Sequence, residues 1–190
     1  RTRHALNWCM HRWEKLRSES RGDFRIFTID EDFYRHPEKG ERSFFAIRTT
    51  DWVNVIAITP NDEIVFIHQF RPGIGGVRLE IPGGVVEPNE DPIKTVAREL
   101  EEETGYIGDS PEHLVTTEPN PAIQANRCHS YIIRNALPNG NVDMDFDEII
   151  DVELRPAAEL AQLIEDDLLP HALLQLPLLR YLRLRESGRA

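Results

Sequence analysis

The sequence predicts an α/β fold in which a mixed β-sheet lies between layers of helix (α/β/α). Three observations carry that expectation. Strand-like runs outnumber helical ones along the chain. One segment of strong helical periodicity stands mid-chain, after a glycine-containing loop. Two further helical segments close the sequence, so helices can cover both faces of a sheet. At 190 residues the chain is long enough for one ordinary hydrophobic core.

Taken in order, Asn7–Ser18 reads as a short helix with Trp8, Trp13 and Leu16 as its apolar residues. "FRIFTIDEDFYR" alternates loosely and reads as a strand, as do "RSFFAIRTT" and "WVNVIAIT". "PNDE" is a turn by composition and "IVFIHQF" follows it, so residues 52–70 read as a hairpin. "RPGIGGV" is a glycine-rich loop and "VRLEIP" a short strand. Over Asp91–Thr104 the period changes: Ile93, Val96, Ala97 and Leu100 fall at helical spacing. Asn89 or Asp91 can cap that helix, Pro92 suits its first turn, and Gly105 suits its end. "EHLVTTEP", "CHSYIIRNA" and "IIDVELRP" are three more strands, with the acidic loop "PNGNVDMDFDE" before the last. Ala157–Asp167 and His171–Arg185 read as helices, the second expected to kink or shorten at Pro177.

Composition narrows the function. The 40% hydrophobic and 29% charged fractions are those of a globular chain. Lys and Arg number 22 against 33 Asp and Glu, a formal charge of −11. Such a chain repels nucleic acid and anionic membrane, so neither is an expected partner. It would also repel an anionic substrate unless divalent cations screened its carboxylates. No run approaches the roughly 18 apolar residues that span a membrane. "RTRHALNWCMHRW" has no apolar core of signal-peptide length. Cys9 and Cys128 read as reduced thiols, and the expected location is cytoplasmic.

The chemistry concentrates on the mid-chain helix. Glu99, Glu102 and Glu103 stand at i, i+3 and i+4, on one helical face, where like charges destabilise a helix. Arg98 is the nearby basic residue, and it projects about 100° away from Glu99 by helical geometry. The cluster is therefore expected to lack a counter-charge, which points to a cation. Hard ions such as Mg²⁺ take oxygen ligands and suit carboxylates combined with substrate phosphates. Gly83 and Gly84 let the preceding loop turn sharply and aim a main-chain carbonyl at the same ion.

Gly84, Glu90, Arg98-Glu99-Leu100, Glu102-Glu103 and Gly105-Tyr106 stand at the spacing of the Nudix box, which this stretch resembles at all seven fixed charged and glycine positions. Tyr106 departs from the aliphatic residue usual at the last position. The resemblance implies the Nudix fold and hydrolysis of a nucleoside diphosphate linked to another group, with Mg²⁺ as cofactor and Mn²⁺ as a substitute. By position it makes Glu99, Glu102 and Glu103 metal ligands, Glu103 also a catalytic candidate, and the Gly83 carbonyl a further ligand. Arg98 is a candidate substrate contact, weighed against a structural ion pair with Glu90.

"HQFRPG" followed by "RLEIPGGVVE" is similar to the ADP-ribose and nucleoside diphosphate sugar pyrophosphatases of that family. That likeness implies Arg71 and Glu80 near a nucleoside diphosphate sugar, with Glu80 alternatively a partner of Arg71 or Arg78. Pro121 in "EPNPAIQANR" matches a proline of the subgroup, although the Ser-Pro-Gly form of its loop is missing, and Arg127 is a further substrate candidate. "MDFDEIIDVEL" resembles the acidic loop that supplies the general base, offering Glu148, Asp147 and Asp145. Subgroup members add N-terminal antiparallel strands and pair as homodimers. The expected division is residues 1–50 as a dimerising extension and 51–190 as the hydrolase domain. Another diphosphate, such as a dinucleotide or coenzyme, is the alternative substrate. A non-catalytic nucleotide sensor is a third reading, disfavoured because every box carboxylate is present.

Overall fold

The computed structural model describes residues 13–140 and 149–189. The chain divides into two compact units, Arg1–Thr49 with Asn120–Ala125, and Thr50–Pro119 with Asn126–Ala190.

The first unit is a three-stranded antiparallel sheet of β1 (Glu14–Asp23), β2 (Thr28–His36) and β3 (Gly40–Arg48), in that order. The helix expected over Asn7–Ser18 is corrected: from Glu14 onward the backbone is strand, and residues before 13 lie outside the described set. Pairing along the full length of β2 overrides the local preference. Residues 120–125 return to this sheet, where Ile47 donates to the Ile123 carbonyl at 2.7 Å. Asp32 organises the sheet. It is buried and held by Lys15 (2.7 Å), Ser18 Oγ (2.5 Å) and Arg48. Burial pushes its pKa up, but these three donors outweigh that and hold it at about 2.

The second unit contains β4 (Trp52–Ala57), β5 (Glu63–Arg71), β6 (Gly76–Glu80), β7 (Gly83–Val85), α1 (Pro92–Thr104), β8 (Tyr106–Ile107) and β9 (Glu112–Thr117). It continues with β10 (Cys128–Ile133), β11 (Leu137–Pro138), β12 (Ile150–Pro156), a 3-10 turn, α2 (Leu160–Glu165) and α3 (Ala172–Glu186). A mixed sheet runs β7-β4-β10-β9, with β4 and β10 parallel, and an antiparallel sheet runs β12-β5-β6. Alternation along β4 splits the core. Val53, Val55 and Ala57 pack with Val96 and Leu100 of α1, while Ile56 packs with Leu160, Leu174 and Leu178 of α2 and α3. Helices thus lie on both faces, as an α/β/α arrangement requires.

The hairpin expected over 52–70 is corrected. β4 and β5 run into different sheets and share one bridge, Ile58 to Ile64. Val53–Ala57 and Ile64–Ile67 are buried without a break. Such runs need strands on both sides, which a two-stranded hairpin does not supply. The helix α1 forms where periodicity places it. Asp91 accepts from Ile93 N–H at 3.1 Å, Pro92 opens the first turn, and Gly105 closes it at φ 69°. Pro177 does not end α3, which continues to Glu186. A proline at 177 leaves the Leu173 carbonyl without its intrahelical donor. Asn54 Nδ2 donates to that carbonyl at 3.2 Å, so the lost bond becomes a tie between α3 and β4.

Candidate active site

The acidic face of α1 meets the Gly83–Gly84 backbone of β7. Glu103 is buried, and its Oε2 accepts from Gly83 N–H at 2.9 Å. Glu99 lies over Gly84 so closely that an added Cβ would stand 2.4 Å from its carboxyl carbon. Any side chain at 84 would occupy the space of that carboxylate.

The expected absence of a counter-charge is corrected. Arg98 reaches Glu99 at 3.0 Å and Glu102 at 2.6 Å, and it also pairs with Glu90 at 3.2 Å. Its Cα does point away from Glu99, but the flexible stem lets the guanidinium fold back over the acidic face. The hydrogen bonds with Glu90, then the other carboxylates, hold its pKa above the ordinary range, and Arg98 in turn lowers that of Glu90. The clustered charge that would otherwise weaken the helix is partly offset by one cation of the chain itself.

The donor chemistry fits a hard divalent ion: three carboxylates on one helical face, two of them set against a glycine backbone. Among the described residues, no three acidic, His or Cys side chains converge closely enough to enclose an ion as they stand. Arg98 and the Gly83 amide engage the carboxylates instead.

Gly83 and Gly84 also form one wall of a cavity of about 300 Å³. Its other walls include Trp52, Asn54, Arg71, Glu80 and His171. Residues 67, 69 and 71 share a face of β5, and Glu80 stands opposite Ile67, so Arg71 and Glu80 project to the same side. Their contact is two-pronged, Nε to Oε1 at 3.0 Å and Nη2 to Oε2 at 2.8 Å. His171, from the start of α3, approaches the same Oε2 through Nδ1 at 3.3 Å. Glu80 is 2% exposed. Burial alone would raise its pKa, but the bonds from His171 and Arg71 bring it down to about 2. Arg78 is not its partner; that side chain donates to the Val77 carbonyl.

Arg71, Glu80 and Gly83 are therefore gathered on one cavity, with Glu99 and Glu103 behind the glycine wall. Two expected contacts are not among the lining residues of this cavity. Arg127 is exposed and outside the cavity lining; its backbone pairs with Asp51 and Trp52, which fixes that segment beside the start of β4. Pro121 belongs to the first unit and lines a groove with Tyr34 and Phe44. Asp145, Asp147 and Glu148 lie outside the described residues. Asn54, Cys128 and His171 line the cavity without any signal in their local sequence. Cys128 is buried, and that burial, with Asp51 nearby, pushes its thiol up to about 12, which disfavours the thiolate.

A model of the NUDIX domain family matches residues 48–176. A methanol dehydrogenase activator from Bacillus methanolicus is 32% identical over 143 residues, 75% of this chain and 77% of that one. An ADP-ribose pyrophosphatase from Bacillus subtilis (strain 168) is 29% identical over 114 residues, 60% of this chain and 62% of its own length. An ADP-sugar pyrophosphatase from Mus musculus is 32% identical over 117 residues, 54% of this chain and 53% of its own length. The chain thus spans less than two thirds of either pyrophosphatase. Among solved structures, an ADP compounds hydrolase superposes with a TM-score of 0.83, covering 94% of this chain and 97% of that one. At 21% identity that likeness is one of fold. With the family model matched across the helix, the glycine wall and the cavity, this chain belongs to the Nudix family.

Proposed function

We propose that this chain hydrolyses the pyrophosphate bond of nucleoside diphosphate sugars, ADP-ribose or a close relative, to a nucleoside monophosphate and a sugar phosphate. One observation supports this most: the same two glycines back the α1 carboxylates and line the cavity that holds Arg71. A diphosphate seated there meets a cation-binding face and a guanidinium together.

In this reading Glu99, Glu102 and Glu103, with the Gly83 carbonyl, hold Mg²⁺ or Mn²⁺. When bound, the ion neutralises charge on the phosphates and acidifies a water. Arg71 contacts a phosphate, and before substrate arrives Glu80 holds its guanidinium in the cavity wall. Arg98 partly offsets the charge of the acidic face and ties α1 to the loop at Glu90. Glu148, Asp147 or Asp145 takes the proton from water. The chain acts in the cytoplasm as a homodimer; no described helix is long and apolar enough to cross a membrane. Light scattering behind size exclusion tests the dimer, and a monomer at micromolar concentration refutes it.

The deciding experiment supplies ADP-ribose, GDP-mannose, UDP-glucose, a diadenosine polyphosphate and NADH with Mg²⁺, and reads phosphate through a coupled phosphatase. The sugar nucleotides are expected to be cleaved. An EDTA arm, read by nucleotide chromatography because the coupling enzyme also needs metal, is expected to be inactive. If every sugar nucleotide is inert while another compound is cleaved, the substrate class is wrong.

A further inference from the structure

We infer that His171 is the residue that lets Arg71 turn from Glu80 toward a substrate phosphate, by keeping a hydrogen bond on the buried carboxylate when the guanidinium is drawn away. This makes His171 a positioning residue acting through Glu80, and it rests on the reading of Arg71 as a phosphate contact.

Glu80 is 2% exposed with Arg71 in place, so withdrawing the guanidinium uncovers a carboxylate that the wall has largely desolvated, at a cost that a second donor held in the wall lowers. Arg71 commits Nε and Nη2 to it, one to each oxygen. A phosphate that recruits this fork would leave an unpaired charge in the wall, and that penalty would oppose binding. His171 removes the difficulty. Its Nδ1 lies 3.3 Å from Oε2, the oxygen that Nη2 also approaches. An ionised carboxylate only accepts, so Nδ1 carries the proton and donates. The imidazole has no competing task at its own helix, because His171 stands at the cap of α3 without a side-chain capping bond. Its backbone is held, with the carbonyl accepting from Leu174 and Gln175 N–H. Arg71 and His171 are each about two-fifths exposed on the cavity, so a ligand can reach the guanidinium without unfolding the wall.

The test is calorimetric titration of α,β-methylene-ADP, a non-hydrolysable diphosphate, with Mg²⁺ into wild type, H171A, H171Q, E80Q and the E80Q/H171A double variant. H171A is expected to weaken binding about tenfold, and H171Q, whose amide still donates, to restore most of it. With E80Q there is no charge to shelter, so adding H171A should change Kd less than twofold. If H171A does not fold, H171M takes its place, since Met fills the volume without donating. H171A binding within twofold of wild type, or an equal tenfold loss in the E80Q background, overturns the inference and leaves the proposed function standing. A wild type that does not bind the analogue overturns both this inference and the phosphate role of Arg71.

Discussion

Placing one methyl at each of two adjacent glycines separates catalysis from folding. At Gly84 an added Cβ would stand 2.4 to 2.6 Å from the Glu99 carboxyl atoms, and those are its nearest contacts. They are the far end of a flexible side chain, so Glu99 can swing aside at small cost. Replacing Gly by Ala also removes freedom from the unfolded chain, worth about 0.4–1 kcal/mol. The two effects nearly cancel, and G84A should melt within about 3 °C of wild type by differential scanning fluorimetry. The displaced carboxylate is one of the proposed cation ligands. Its loss should lower kcat on the best sugar nucleotide about 10²-fold, roughly 2.7 kcal/mol of barrier, and raise the Mg²⁺ concentration needed for half activity.

Gly83 gives the opposite outcome. There the added Cβ would stand 2.3 Å from the Val53 carbonyl oxygen and 2.8 Å from Asn54 Cα, both backbone atoms of β4. The strands must separate, a packing strain of about 1–3 kcal/mol. G83A should therefore lose about 3–10 °C in Tm. If G84A keeps kcat within threefold of wild type at saturating substrate and an unchanged Mg²⁺ dependence, Glu99 is not held over the glycine as a ligand. A G84A variant that melts lower than G83A would instead refute the assignment of strain to the β4 contact.

Three other outcomes follow from the same geometry. E103Q keeps an amide oxygen for Gly83 N–H but removes one charge, so kcat should drop by orders of magnitude at unchanged Tm; a near-normal rate contradicts the ligand assignment. Glu80 has its folded pKa depressed to about 2 from an ordinary 4.5, so its stabilisation is present above about pH 4.5 and is lost as pH falls toward 2. That shift corresponds to about 3 kcal/mol at most; the Tm of wild type should decline more steeply than that of E80Q between about pH 5 and pH 2.5, and parallel curves would contradict the buried pair. R98A removes the guanidinium shared by Glu90, Glu99 and Glu102, so its Tm deficit should be larger in EDTA than in millimolar Mg²⁺. An equal deficit in both would mean that no cation takes over the charge.

What the sequence made legible was local. Asp91, Pro92 and Gly105 define α1 within one stretch of chain, and helical spacing puts Glu99, Glu102 and Glu103 on one face without knowledge of any partner. Arg71 and Glu80 sit on paired strands nine residues apart, close enough for an ion pair to be one of the readings open. The misjudgements came where distant residues decide. Whether "WVNVIAIT" pairs with "IVFIHQF" depends on β10, β12, β6 and β7 competing for both. Whether "EKLRSESRGD" is helix or strand depends on β2. His171 meets Glu80 across 91 residues, and no spacing rule connects them.

The Arg98 network changes what the acidic helix means. Carboxylates three and four apart suggest a face that only a metal could relieve, yet the chain supplies its own cation there. On the proposed assignment, a divalent ion at Glu99 and Glu102 would compete with a guanidinium that already makes charge-assisted bonds, which would lower the affinity of the free protein for the ion. A bound diphosphate would alter that balance, because its oxygens would supply further ligands for the ion and an acceptor for Arg98. Metal and substrate would then favour each other's binding, and by linkage the favour would be equal in both directions. Gly83 and Gly84 would be the link in such coupling: their backbone meets Glu99 and Glu103 on one side and lines the cavity on the other.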